Sequence, residues 1–216
     1  MGEIIKEIRS ASQPDLLVAD RTVGGEYENI LTPEQTIPAK PIRVPWESCL
    51  TLGDSFSFHY TDNYKSAGTL VHILIDIVSK GGNLALNITP QPDGELPARG
   101  LLELRRMGRW LSVNGEGIYG TRIAKGFTAN REVKCTRKGN TVYAFNLYDD
   151  FARLPRNIPV DIDRTVVDKA VCKVTLLRNG EDVPFTQDNK GIMLKTSELD
   201  PYGPEYADCY VLKFGD

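Results

Sequence analysis

The hydrophobic period of this chain changes once, near Thr121, and that change limits the folds open to it. Before it, stretches with a helical stripe alternate with short, almost wholly apolar runs. Residues 4–13 (IIKEIRSASQ) place Ile4, Ile5 and Ile8 on one helical face, and Pro14 stops that helix. In residues 67–80, Leu70, Leu74, Ile77 and Val78 form a stripe that Val71 and Ile75 widen, and Gly81-Gly82 ends it. Residues 98–113 carry Leu101, Leu104, Met107 and Leu111 in register, with Pro97 at the first turn and Asn114-Gly115 at the close. Between these lie 15–19, 46–52 and 83–88, which read as short buried parallel strands. Such alternation predicts βα units around a parallel sheet.

After Thr121 the runs at 133–136, 141–147, 158–161, 171–177, 192–196 and 209–214 read as strands. Turn clusters separate them, among them Lys138-Gly139-Asn140 and Arg178-Asn179-Gly180-Glu181. Asn179-Gly180 between alternating runs is a strong hairpin signal. The expectation is an α/β part over residues 1–121 and an antiparallel β-sandwich over 122–216, the latter folding on its own.

Residues 19–47 form a long stretch rich in turn formers, with carboxylates at Asp20, Glu26, Glu28, Glu34 and Glu47. Loops of this length in a compact domain are usually functional or disordered. Tyr27, Ile30, Leu31, Ile37, Ile42 and Trp46 give it too much apolar content for disorder. It reads as an ordered loop that presents acids to a ligand. A second polar loop, rich in aromatics, spans 53–65 (GDSFSFHYTDNYK).

A net charge of −3 with no basic cluster argues against a nucleic-acid partner. The longest apolar run, 70–78, is broken by His72 and Asp76 and is too short for a membrane span. The first residues, MGEIIKEIRSASQ, carry no signal-peptide pattern. Cys49, Cys135, Cys172 and Cys209 lack metal-ligand spacing, and His59 and His72 are the only histidines, so neither metal nor cofactor is expected. The four cysteines read as small buried apolar residues.

Four stretches resemble the α-L-fucosidases of glycoside hydrolase family 29: VADRTVGGEYENILTPEQTIP, PWESCLTLGDSFSFHY, LVHILIDIVSKGGNLALNITPQPDGELP and MGRWLSVNGEGIYGTR. They cover residues 15–122 almost without a break. The resemblance implies a (β/α)8-like, TIM-type catalytic barrel followed by a β-sandwich. A complete barrel takes about 250 residues, so residues 1–121 are expected to form only its C-terminal part. The family's nucleophile, an aspartate in a W-x-D-type motif, has no counterpart here, and the chain alone is expected to be inactive. The substrate implied is a fucosylated oligosaccharide or glycoconjugate. The family setting is secreted, periplasmic or lysosomal, and the sandwich is a candidate contact surface for a homo-oligomer.

Family members retain anomeric configuration, which needs a nucleophile and an acid/base carboxyl about 5–5.5 Å apart. By the resemblance the acid/base lies on the loop after an Asp-Arg pair, here Asp20-Arg21; Glu34 is the first candidate and Glu28 the second. Either could instead be a solvated loop carboxylate. Arg21 is implied to contact the sugar, the alternative being a surface ion pair with Asp20. Trp46 either stacks on the sugar or fills the core. Glu47 reaches into the site or braces Arg21. Phe56, in Ser55-Phe56-Ser57-Phe58, is a candidate apolar wall for the C6 methyl of fucose, and His59 a donor at the rim. His72 reads as structural. A catalytically inactive, carbohydrate-binding or structural relative is the alternative to an enzyme.

Overall fold

The computed structural model describes residues 2–21, 27–128, 132–148, 155–196, 199 and 205–215. Glu26, one of the loop carboxylates, lies outside the described residues. Helix α1 (Gly2–Ala11) ends where the amides of Ser12 and Gln13 both bond the Ile8 carbonyl. Arg9 on α1 reaches the Leu16 carbonyl at 3.0 Å and Asn29 Oδ1 at 2.6 Å.

Residues 15–19 are not the buried strand that their apolar run predicts. Only Ala19 enters a bridge, parallel to Ile30, and Leu17 is 75% exposed. A buried parallel strand has both faces covered. Among the described residues this segment has one edge partner.

The stretch that reads as a loop contains, by contrast, an irregular parallel strand. Leu31 bridges Trp46, and Glu34 bridges Cys49. The Cys49 amide donates to the Pro33 carbonyl and the Gln35 amide to the Cys49 carbonyl, each at 2.9 Å. Pro33 has no N–H, so the ladder skips a rung and residues 30–35 never form a regular strand.

Strand β1 (Glu47–Thr51) pairs in parallel with β2 (Asn83–Asn87), Glu47 opposite Asn83 and Thr51 opposite Asn87. Helix α2 (Ala67–Ser79) connects them; the Ser66 side chain caps its first turn by accepting from the Thr69 amide. Side chains alternate across a strand. Trp46 and Leu50 therefore face α2 and pack with Ile77, while Glu47, Cys49 and Thr51 share the other face with Asn83, Ala85 and Asn87. A Cβ on Gly82 would lie 2.4 Å from the Trp46 ring, so the glycine after α2 makes room for the indole. Helix α3 (Ala98–Asn114) packs beside α2, and its Glu103 accepts from the Ala67 amide at 2.8 Å.

The antiparallel part has strands β3 (Arg122–Ile123), β4 (Val133–Lys138), β5 (Thr141–Leu147), β6 (Asn157–Asp161), β7 (Val171–Leu176), β8 (Phe185–Gln187), β9 (Gly191–Lys195) and β10 (Ala207–Phe214). They form a five-stranded sheet, β3-β4-β5-β10-β7, and a three-stranded sheet, β6-β9-β8. The Asn179-Gly180 turn is as expected: Gly180 has φ +75°, and its amide bonds the Leu176 carbonyl.

One face of the five-stranded sheet, with Val142, Ala144, Leu176, Tyr210 and Leu212, meets Ile158, Val160, Ile192 and Leu194 of the smaller sheet. Its other face is also covered. Tyr143, Phe145, Cys209 and Val211 pack against Leu70 and Leu74 of α2 and Met107 and Trp110 of α3. Trp110 Nε1 donates to the Ala207 carbonyl at 2.9 Å, and His72 Nε2 meets the Tyr206 carbonyl at 2.8 Å, the structural role expected of that histidine. The sheet is thus a middle layer, one face of which is covered by helices from residues 67–114. The reading of the cysteines is corrected. Cys135 and Cys209 are buried, but Cys49 is half-buried and Cys172 exposed. Burial pushes the Cys135 thiol up to about 12 and also raises that of Cys209, to which the Asp208 charge adds.

Two outcomes follow from this packing. The segment 122–216 expressed alone should bind a hydrophobic dye and lose cooperative unfolding, because each of the exposed aromatics forfeits about 1.5–3 kcal/mol of burial; a dye-silent, cooperative transition would contradict the layering. Gly82→Ala should lower the urea midpoint of the whole chain by an amount equivalent to about 1–3 kcal/mol, the usual cost of overpacking.

Candidate active site

The parallel segments all run the same way, so their carboxyl ends gather residues 20–21, 34–35, 51–53 and 87–89 at one edge. Ligand sites of α/β sheets form at this edge. The Arg21 guanidinium donates to Glu34 Oε2 there, with both side chains about half exposed. The Glu34 hydrogen bond, then its charge, hold Arg21 above its ordinary pKa range, and the proximity of Cys49 and Asp20 acts in the same direction. Asp20 is not the arginine's partner. Its Oδ1 accepts from the Thr32 amide at 2.8 Å and from the Thr32 hydroxyl at 2.5 Å, which fixes the backbone two residues before Glu34.

Gln35 follows with φ 52°, the left-handed region that non-glycine residues seldom occupy. Its amide bonds the Cys49 carbonyl, and its Nε2 donates to Thr51 Oγ1 at 3.0 Å. Thr51 in turn donates to the Gly53 carbonyl at 2.6 Å. Backbone strain of this sort persists only where the surroundings over-determine it. Here it aims Glu34 along the strand edge toward Arg21.

The loop 53–65 leaves the same end of β1. Asp62 accepts from the Asp54 amide at 2.7 Å, Asn63 donates to Asp54 Oδ2 at 2.8 Å, and Lys65 Nζ donates to the Thr51 carbonyl at 2.7 Å. Thr89, just past β2, donates to the Phe56 carbonyl at 2.8 Å. Phe56 is 39% exposed and His59 is exposed farther along the loop. Arg21, Glu34, Phe56 and His59 therefore share one end of the parallel segments.

Three other sequence candidates fall elsewhere. Glu28 is half-buried and precedes Asn29, whose amide bonds the Val18 carbonyl. It precedes the bridged residues 30–34, whereas Glu34 is the last of them. Glu47 opens β1, about 13 Å from the Thr51 end at the rise of a strand, and Glu34 rather than Glu47 braces Arg21. Trp46 is fully buried against Leu31, Leu50 and Ile77, so it is a core residue and not a sugar platform. The Gly82 notch that admits the ring is what decides this. Gln35, Cys49 and Thr51, which line the edge, are not among the site candidates read from the sequence. The signal for them was the alternation Glu47, Cys49, Thr51 against Trp46, Ser48, Leu50.

The α-L-fucosidase family model matches residues 1–116, more than half of the chain. The chain belongs to the α-L-fucosidase family. It is 31% identical over 186 residues to plasma alpha-L-fucosidase of Rattus norvegicus, an alignment covering 82% of this chain and 39% of that protein. It is 36% identical over 129 residues to an alpha-L-fucosidase of Branchiostoma floridae, covering 56% and 29%. The chain thus spans well under half the length of these relatives. Among solved structures, alpha-L-fucosidase isoenzyme 1 from Paenibacillus thiaminolyticus superposes with a TM-score of 0.81 at 26% identity, over 99% of this chain and 53% of that one. The alpha-L-fucosidase from Vibrio sp. strain EJY3 gives 0.78 at 25% identity, over 100% and 38%. The likeness to fucosidases of known structure runs through both the parallel and the antiparallel parts of the chain.

The Arg21–Glu34 pair lies about half exposed at this edge. Exposed ion pairs are screened by water and salt. Glu34→Gln should leave the thermal midpoint of the chain unchanged at both low and high salt; a clear drop at low salt would make the pair a structural element.

Proposed function

We propose that this chain supplies the acid/base part of a retaining α-L-fucosidase that removes terminal α-L-fucose from glycans or glycoconjugates. On this reading residues 1–121 are the C-terminal part of a (β/α)8-like barrel and residues 122–216 its β-sandwich. The observation that carries the reading is the Arg21–Glu34 pair at the carboxyl ends of parallel strands, beside the exposed Phe56, in a chain of this family.

Hydrolysis with retention proceeds through two displacements. In the first, a nucleophile attacks the anomeric carbon while Glu34 gives a proton to the departing glycosidic oxygen. In the second, Glu34 takes a proton from the water that releases fucose. Nothing in this sequence matches the family's nucleophile motif, so that carboxylate comes from outside these residues. Arg21 occupies Oε2 of Glu34, which leaves Oε1 to carry the transferred proton. Phe56 gives the C6 methyl an apolar wall, and His59 offers a donor at the rim.

The test uses the complete enzyme. Glu34→Ala should lose about 10²–10⁴-fold on a fucosylated disaccharide, the usual worth of general acid catalysis. The loss should be far smaller on an aryl fucoside with a good leaving group, whose departure needs little protonation. Azide should partly restore turnover and give a fucosyl azide of the substrate's configuration. Glu28→Ala should show similar losses on both substrates and no rescue. Exchange of these behaviours between the two mutants would move the acid/base to Glu28.

A further inference from the structure

The loop 53–65 carries more aromatic surface than the fucosyl site accounts for. Beyond Phe56 it presents Phe58 and Tyr60, whose rings meet edge to face at 4.9 Å between centroids and 77° between planes. Phe58 is half-buried, whereas Tyr60 is 87% exposed. Neither the Tyr60 hydroxyl nor the His59 ring has a hydrogen-bond partner among the described residues. The base of the loop is closed by the Asp54–Asp62, Asp54–Asn63 and Lys65–Thr51 contacts. Gly53 tightens that closure, since a Cβ there would lie 2.0 Å from an Asp62 oxygen. The Thr89–Phe56 bond holds the near arm against the end of β2. A large ring thus stands in solvent on a tied loop, with a second ring bracing it.

Exposed aromatics on rigid supports supply contact area at low entropic cost and mark binding surfaces. We propose that Tyr60, braced by Phe58, is the platform for the sugar to which fucose is attached. That sugar stacks a C–H face on the ring while its hydroxyls reach the Tyr60 hydroxyl and His59. The placement rests on the fucosidase reading above, because Tyr60 lies four residues past Phe56 on the loop that leaves the Thr51 end of β1. The proposal selects oligosaccharide substrates over fucosides with small aglycones. Contacts with a non-reacting part of a substrate help position the reacting centre.

The probes are N-acetyllactosamine, which carries no fucose, titrated into the 216-residue chain, and L-fucose, titrated into the complete enzyme. Saturation-transfer NMR with irradiation of the aromatic protons reads both. The disaccharide should receive saturation, and Tyr60→Ala should weaken its binding about tenfold, the scale of one aromatic stacking contact. Tyr60→Phe should retain most of the binding. Circular dichroism of each variant should match that of the parent, as expected for a residue this exposed. Absence of transfer to the disaccharide, or transfer unchanged in Tyr60→Ala, overturns the platform. L-fucose, titrated into the complete enzyme, reports separately on the fucosyl site: its binding should survive Tyr60→Ala, and failure to bind L-fucose there would count against the fucosidase reading and not against Tyr60.

Discussion

The double burial of the five-stranded sheet is the contact on which the rest depends. Tyr143, Phe145, Cys209 and Val211 alternate along β5 and β10 with Val142, Ala144, Tyr210 and Leu212, so the two strands have no solvent face. The outward row receives α2 and α3. Those helices in turn cover Leu84 and Leu86 of β2. The orientation of the parallel strands, and so the direction in which their carboxyl ends point, is set from the antiparallel part of the chain. Gly117 belongs to the same contact, since a Cβ there would lie 2.7 Å from the Phe145 ring.

Chemistry is separated from packing along each parallel strand by the side-chain period of two. On β1 Glu47 and Cys49 are half-buried on one face, with the buried Thr51 hydroxyl at its end, and Trp46, Ser48 and Leu50 are buried on the other. Glu34 joins the polar side only because its segment runs in register with Cys49. Gln35 secures that register from both directions, through its main chain to Cys49 and its side chain to Thr51.

Much of this was legible in the sequence where the signal was local. The helices α2 and α3 begin and end within a residue of their expected limits, since a continuous apolar stripe and a Gly-Gly or Asn-Gly stop specify them. Where a signal was ambiguous the reading failed. The run DLLVA has strand composition, but strand formation depends on neighbours that composition does not report. Residues 30–35 hide a strand behind Pro33. The strands β3 and β8, of two and three residues, are too short to show a period. At the site, sequence similarity nominated Arg21 and Glu34 separately, but their pairing across thirteen positions comes from register. Trp46 read equally well as platform or core, and a glycine thirty-six positions away, Gly82, settles it.

The tie between α1 and the first parallel segment has a consequence for how this site diversifies. Val18 and Asn29 exchange hydrogen bonds, the Asn29 amide with the Val18 carbonyl at 2.8 Å and the Val18 amide with Asn29 Oδ1 at 3.0 Å, and Arg9 fastens the same asparagine to α1. The excursion between residues 18 and 29 is therefore closed at its neck. The entropic cost of lengthening a closed loop grows only logarithmically. Insertions or deletions between Arg21 and Tyr27 leave the register of residues 30–35 untouched, and with it the aim of Glu34. The neck thus sets where the Glu34 segment begins by contacts at Val18 and Asn29, whatever the length of chain that those contacts enclose.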